Sequence, residues 1–165
     1  MNELNNELEQ RFLRLVDANQ RAIYKVCLAY ATDDETISDL YQEVVLNLWR
    51  AIPRFRGESK PSTWVYRIAV NTCISWMRSS QSRPQTVPFT LSMADLFADE
   101  QERENLTELY RLINRLGKLE RALILLWLDE RTYEEISEIL GISVSNVGVR
   151  INRIKAKLKE MSNNH

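Results

Sequence analysis

At 165 residues the chain is long enough for one domain or two small ones, and its 44% hydrophobic content is that of an ordinary globular protein. The net charge is −1, so no bulk charge draws the whole molecule to nucleic acid. The single histidine is the last residue, His165, and Cys27 and Cys73 lie in apolar contexts without metal-ligand spacing; zinc, a cofactor and histidine-based catalysis are therefore not expected. No nucleophile–base constellation points to an enzyme or to a small-molecule substrate. The opening MNELNNELEQRF is polar, and no run of about 18 apolar residues occurs, so a cytoplasmic protein with no direct membrane insertion is expected.

The charge is unevenly spread, which matters more than its sum. Asp33 to Glu43 holds five acids and no base. From Arg50 to Arg83 there are seven bases (Arg50, Arg54, Arg56, Lys60, Arg67, Arg78, Arg83) against one acid, Glu58. Asp95 to Glu108 holds six acids against Arg103, and Gly141 to His165 holds five bases against Glu160.

Only four glycines and four prolines punctuate the chain, and alternating strand patterns are absent, which predicts an all-α protein. A first helix is expected over 5–31, with Phe12, Leu15, Val16, Ile23, Val26, Cys27 and Tyr30 facing inward. After a capping cluster at Thr32–Asp34, a second spans 34–52, burying Leu40, Val44 and Leu48 at every fourth position. Asp39, Gln42, Glu43 and Leu46 share another side of it. That mixed stripe is either a solvated face or a docking surface for a basic partner helix.

Pro53 ends this helix. Gly57 and Pro61 make the next stretch a loop, and Ser62 is a candidate cap for a helix running to about Ser79. The loop and helix carry Phe55, Trp64, Tyr66 and Trp76 among the basic residues. Rings interleaved with cations suit unpaired nucleic acid, because bases stack on rings and phosphates follow cations. Aromatics at helical spacing equally describe a core helix with a solvated basic face.

SSQSRPQTVP, from Ser79, is poor in apolar residues and holds two prolines, so a flexible linker begins there. The expected organisation is two small helical domains: residues 1–80, a linker over 81–103, and residues 104–165. Leu106, Leu109, Leu112, Ile113 and Leu116 mark a helix stopping near Gly117, and LERALILLWL from Leu119 is a core helix. Thr132 with Glu135 forms a capping box. Gly141 supplies a tight turn, and Ser143 can cap a final helix. In that helix Val147, Ile151, Ile154 and Leu158 form an inward stripe, opposite Asn146, Val149, Arg150, Arg153 and Lys157. Helix, glycine turn and a helix with one polar-basic face make a helix-turn-helix, whose second helix fits the major groove of DNA. An ordinary helical hairpin shares the pattern but not the agreement of cap, turn, period and charge.

DLYQEVVLNLWRAIPRFRGESKPSTWVYRIAVNTCISWMR resembles region 2 of the bacterial RNA polymerase sigma factors of the extracytoplasmic-function type. TYEEISEILGISVSNVGVRINRIKAKLKE resembles their region 4. The resemblance covers most of the chain, and both motifs in order are more specific than a helix-turn-helix alone. It implies that core RNA polymerase and promoter DNA are partners and that an anti-sigma factor holds the protein in check. It assigns polymerase binding to Asp39, Gln42, Glu43 and Leu46. For the −10 element it implies Arg54, Phe55, Arg56, Gly57, Ser59, Lys60, Ser62, Trp64, Arg67 and Asn71, with a base flipped into a pocket lined by the loop and Asn71. For the −35 element it implies Ser145, Asn146, Val149, Arg150, Arg153 and Lys157. Gly148 departs from the arginine or lysine that many members carry there, and a glycine inside a helix costs about 1 kcal/mol relative to alanine. A helix-turn-helix regulator that does not join polymerase would explain the second half, but it leaves the acidic and aromatic-basic first half without a use.

Overall fold

The computed structural model describes residues 2–31, 33–79 and 100–164. Among them the regular elements are all helical. α1 (Asn2–Ala18), α2 (Gln20–Tyr30), α3 (Asp34–Ala51) and α4 (Pro61–Ser79) form a first head, with a 3₁₀ turn at Ile52–Arg54. α5 (Glu100–Ile113), α6 (Lys118–Leu128), α7 (Tyr133–Leu140) and α8 (Val144–Asn163) form a second. The expected linker falls largely outside the described residues, and α5 begins at Glu100, inside its far end.

The single long helix expected over 5–31 is two helices. Asn19 breaks it: its backbone leaves the helical range, and its side-chain amide donates to Leu15 O at 2.8 Å. An asparagine that binds the preceding turn offers the chain an alternative to the helix ladder. α2 beyond the break is almost wholly buried, from Ile23 to Tyr30, whereas α1 contains no fully buried residue. Phe12, Leu15 and Val16 of α1 rest on the core only in part.

α3 starts where Asp33 accepts from Thr36 N at 2.7 Å, and its buried stripe is Ile37, Leu40, Val44 and Leu48. α4 begins two residues earlier than a cap at Ser62 predicts. Pro61 is its first residue, a position where the missing N–H costs nothing, and Lys60 O accepts from Trp64 N. Val65, Tyr66, Ala69, Val70 and Cys73 of α4 face α2 and α3. Cys27 and Cys73 are both free thiols at zero exposure, and the contact with Cys27, together with burial, pushes the Cys73 thiol well up.

In the second head the local signals are realised. Thr132 accepts from Glu135 N and Glu135 Oε1 accepts from Thr132 N, both at 3.1 Å. Gly141 takes φ +72°, where side chains other than glycine are strained, and Ser143 Oγ accepts from Asn146 N at 3.2 Å. Val147, Ile151 and Ile154 are buried. Gly148 has a local reason as well: a Cβ there would meet the Tyr133 ring at 3.3 Å, so the glycine lets α7 lie close on α8.

The two heads share one continuous apolar core, with α2 and α4 against α6 and α4 against α7. Three polar links join them deep in this seam. Arg121, only 4% exposed, donates to Leu116 O (2.8 Å), Asn114 O (2.6 Å) and Ala29 O (3.2 Å). Asn114 donates to Leu28 O at 3.3 Å, and the Tyr30 hydroxyl to Lys118 O at 2.6 Å. Leu28 and Ala29 lie in the last turn of α2, whose carbonyls have no partner within the helix. The second head thus caps a helix of the first, and a cation at a helix C-terminus also complements its dipole.

Replacing Thr132 by alanine removes the capping box and should cost about 1 kcal/mol. The expected result is a lower urea midpoint with an unchanged slope.

Candidate polymerase and nucleic-acid surfaces

On α3 the acidic-apolar stripe divides between two grooves. Gln42 and Leu46 line the first, which lies between α1 and α3 with a volume of about 760 Å³; Glu9, Phe12, Leu13, Tyr41, Val45 and Trp49 complete it. Leu13, Leu46 and Trp49 leave 51%, 41% and 40% of their surface in water, and Phe12 packs edge-on to Trp49 at 5.0 Å. Large apolar side chains exposed together mark a contact surface. Asp39 is exposed on the same helix. Glu43 turns instead to the second groove. Trp49 and Leu13 escape the sequence reading. Trp49 continues the spacing of Asp39, Gln42 and Leu46 by three more residues, so periodicity could have found it; Leu13 comes from another helix and carries no such signal.

The second groove, about 580 Å³, runs between α3 and α4 and is lined by Glu43, Asn47, Ala51, Ile68, Asn71, Thr72, Ser75 and Trp76. Thr72 donates to Ile68 O at 2.7 Å and accepts from Asn47 Nδ2 at 2.9 Å. That pair fixes the Asn47 amide, whose Oδ1 lies 3.5 Å from Arg50, and Asn71 is exposed in the same groove. A polar groove with two amides and an indole has the hydrogen-bonding and stacking groups that a nucleobase requires.

The predicted −10 residues do not share one environment. Arg54 and Arg56 are exposed, and Gly57 takes φ +75° at the apex of the loop. Ser59 is half-buried. Phe55 and Trp64 stack on each other, ring centres 4.6 Å apart at 28°. Arg11 of α1 lies over the Phe55 ring at 5.4 Å and donates to Phe55 O at 3.1 Å. These two rings therefore spend one face each on holding the loop to α4. Lys60, Ser62 and Arg67 face the second head: Lys60 lies 3.9 Å from Glu135, Ser62 Oγ accepts from Arg131 at 3.2 Å, and Arg67 donates to Glu138 O at 3.0 Å.

Between these contacts sits Asp129, at the end of α6. It accepts from the Tyr66 hydroxyl and pairs with Lys25 at 3.6 Å and Arg131 at 3.4 Å. Burial, and then the hydrogen bond to Asp129, pushes the Tyr66 phenol far above its usual range, so it stays a donor. Burial alone would lower the charge preference of Arg131, but Tyr66, Asp129 and Glu135 outweigh it and keep the guanidinium charged. The next residue, Glu130, adopts φ +61° to turn the chain into α7.

On α8 the predicted residues do form one face. Ser145, Asn146, Val149, Arg153 and Lys157 are exposed, and Arg150 is half-exposed with its Nε 3.3 Å from Asn146 Oδ1. Val149 leaves 48% of its surface in water and Val144, which the sequence reading passed over, 39%. Apolar groups on a polar helix face are suited to a thymine methyl. Two cations have prior engagements. Lys155 sits over the Trp127 ring at 4.4 Å, and Lys157 pairs with Glu120 at 3.4 Å.

Among the described residues no group of three or more His, Cys, Asp or Glu could hold a metal ion, and no helix is long and apolar enough to cross a membrane.

Comparisons with known proteins match the two halves of the chain separately. Residues 15–83 match sigma-70 region 2, and residues 106–158 match sigma-70 region 4. The ECF RNA polymerase sigma-E factor of Haemophilus influenzae is 30% identical over 165 residues, covering 92% of this chain and 87% of that one. The RNA polymerase sigma factor YlaC of Bacillus subtilis is 34% identical over 137 residues, covering 76% and 77%. In three dimensions the chain resembles CnrH, solved in complex with the cytosolic domain of CnrY, with a TM-score of 0.70 at 20% identity over 94% of this chain and 90% of that one. It also resembles the sigma factor RpoE of Bartonella quintana, solved with the anti-sigma factor NepR, with a TM-score of 0.71 at 18% identity over 95% and 97%. At these identities the structural likenesses speak for the fold.

Phe55→Ala removes the ring that ties the loop to Trp64 and Arg11. Amide exchange over 56–60 should rise at least about tenfold, as expected when a local opening becomes easier by more than 1.4 kcal/mol; exchange in α4 beyond Val65 should not change.

Proposed function

The chain belongs to the sigma-70 family of RNA polymerase factors, in its extracytoplasmic-function class, and from that premise we propose how its surfaces divide the work of a factor that binds core polymerase and directs transcription from promoters. The observation that carries the function is the occurrence of both family regions, in order, in a chain that covers most of a sigma-E relative. A helix-turn-helix regulator acting apart from polymerase leaves the match over 15–83 without a purpose.

The groove between α1 and α3 receives polymerase. Leu46, Trp49 and Leu13 supply apolar anchors, and Gln42 with the nearby Asp39 supplies the polar rim, the pattern by which interfaces concentrate their energy on a few aromatic and aliphatic side chains. Glu43 stands at the boundary between this groove and the next. The Asn47–Asn71 groove and the loop over 54–60 receive unpaired bases of the −10 element. Arg54 and Arg56 meet phosphates there, and extruding a base costs a few kcal/mol that stacking and hydrogen bonds in the groove offset.

α8 reads duplex at −35. Asn146, Val149 and Arg150 reach base edges, while Arg153 and Lys157 meet phosphates. RNA synthesis belongs to polymerase. This chain contributes binding energy that selects the promoter and captures the opened strand, and it does so in the cytoplasm, where polymerase works. One structural relative was solved with an anti-sigma factor, and we extend that kind of partner to this chain.

Core polymerase with this chain should start RNA synthesis from its own promoter, and core alone should not. Trp49→Ala should weaken association with core by at least about tenfold, as for a buried aromatic anchor, with helicity unchanged. Arg150→Ala with Arg153→Ala should reduce promoter occupancy at moderate salt and flatten the dependence of log affinity on log salt by up to about 2. Unchanged occupancy and slope would remove α8 from the recognition surface.

A further inference from the structure

The groove between α3 and α4 holds a hydrogen-bond relay. A hydroxyl has one proton to give. Thr72, 7% exposed, gives its proton to Ile68 O in the preceding turn of α4, at 2.7 Å. Toward Asn47 it can therefore only accept, and Asn47 Nδ2 donates to it at 2.9 Å. This decides which way round the Asn47 amide lies. Were the amide turned over, Oδ1 would face a hydroxyl oxygen with no proton left for it. Arg50 supports the same orientation from the other side, donating to Oδ1 at 3.5 Å, the long limit for such a bond. A side-chain amide carries two N–H groups and two carbonyl lone pairs. With one of each engaged, Asn47 keeps a donor and an acceptor in a fixed order at the wall of the groove.

That order matters because the bases fall into two classes on their Watson–Crick edge. Adenine and cytosine place an amino donor beside a ring-nitrogen acceptor. Guanine and thymine place a keto acceptor beside a ring N–H donor. An amide free to flip pairs with either class, and an amide held one way round pairs with one. We propose that Asn47 is a specificity-determining residue for the opened strand, held by Thr72 as a positioning residue, and that the groove selects an amino base, adenine or cytosine, over a keto base. This rests on the assignment of the groove to unpaired bases of the −10 element.

The class selected follows from the charge beside the amide. Among the described residues that line the groove, Glu43 is the one with a charge, and a carboxylate only accepts. Glu43 precedes Asn47 by one turn of α3, so the two lie side by side. An amino group offers hydrogens to Glu43 and to Asn47 Oδ1, as cytosine N4 does to a carboxylate in direct readout. A keto oxygen brought to the same place meets further acceptors and is repelled. Asn71 and Ser75, which also line the groove, donate or accept as required and favour neither class.

The test uses holoenzyme assembled from core polymerase and the full chain, on a promoter it directs, with the −10 segment held open as a mismatched bubble. Each non-template position in turn carries A, C, G or T. Duplex stability would group A with T and G with C, whereas the relay groups A with C. At one position the wild type should initiate from A and C at least about fivefold better than from G and T, the low end for one bidentate contact. Thr72→Val keeps the shape and removes the acceptor, and it should bring the two classes together. Thr72→Ser should restore the difference. Should Thr72→Val not fold, Asn47 variants at that half-buried site carry the test. Asn47→Leu should remove the preference, and Asn47→Asp, with acceptors alone, should keep it.

A wild type in which no position sets A and C above G and T overturns the proposal, as does a preference that survives Thr72→Val. Asn47→Leu combined with Asn71→Ala separates this failure from that of the underlying reading. If the pair changes base preference or initiation while Thr72→Val does not, the groove receives the strand and the lock alone fails. If the pair changes nothing, the groove does not receive the strand.

Discussion

A guanidinium withdrawn from water must meet acceptors on most of its donors, and Arg121 finds them at Leu116, Asn114 and Ala29. Two of these belong to its own head and one to the other. The third can be supplied only when the end of α2 lies against α6. Asn114 and Tyr30 repeat the arrangement a few residues away. The contact of α4 with α7, the position of Asp129 under Tyr66 and the contacts that Lys60, Ser62 and Arg67 make with the second head all follow from that docking.

The elements governed by local chemistry were legible. Thr132 and Glu135 specify a helix start wherever they stand, Gly141 permits one backbone conformation that other residues resist, and Ser143 caps the next helix. The inward stripe of α8 and its exposed opposite face followed from period alone. The break at Asn19 was not legible, because an asparagine in a helical pattern is as compatible with continuing the helix as with ending it, and the side-chain bond to Leu15 decides. Pro61, rather than Ser62, opens α4 because a proline at the first helical position is already shaped for it.

Surfaces composed by two distant segments were the least legible. Periodicity places Leu46 on an exposed side of α3 but says nothing of Leu13, which reaches the same groove from α1. Composition counts Phe55 and Trp64 as two rings for bases, whereas the fold stacks each on the other. The charge blocks showed that acids and bases alternate along the chain. They did not show that Lys60 would face Glu135 and Arg67 the Glu138 carbonyl, because that juxtaposition depends on how two cores meet.

The weak anchoring of α1 bears on the groove it forms with α3. One wall, α3, is fastened through Leu40, Val44 and Leu48, all at zero exposure, while the other wall has no fully buried residue and is hinged at Asn19. Local opening is cheapest where few apolar contacts hold an element. The cleft is therefore built like a jaw with one fixed and one sprung side, and its width is cheaper to change than its floor.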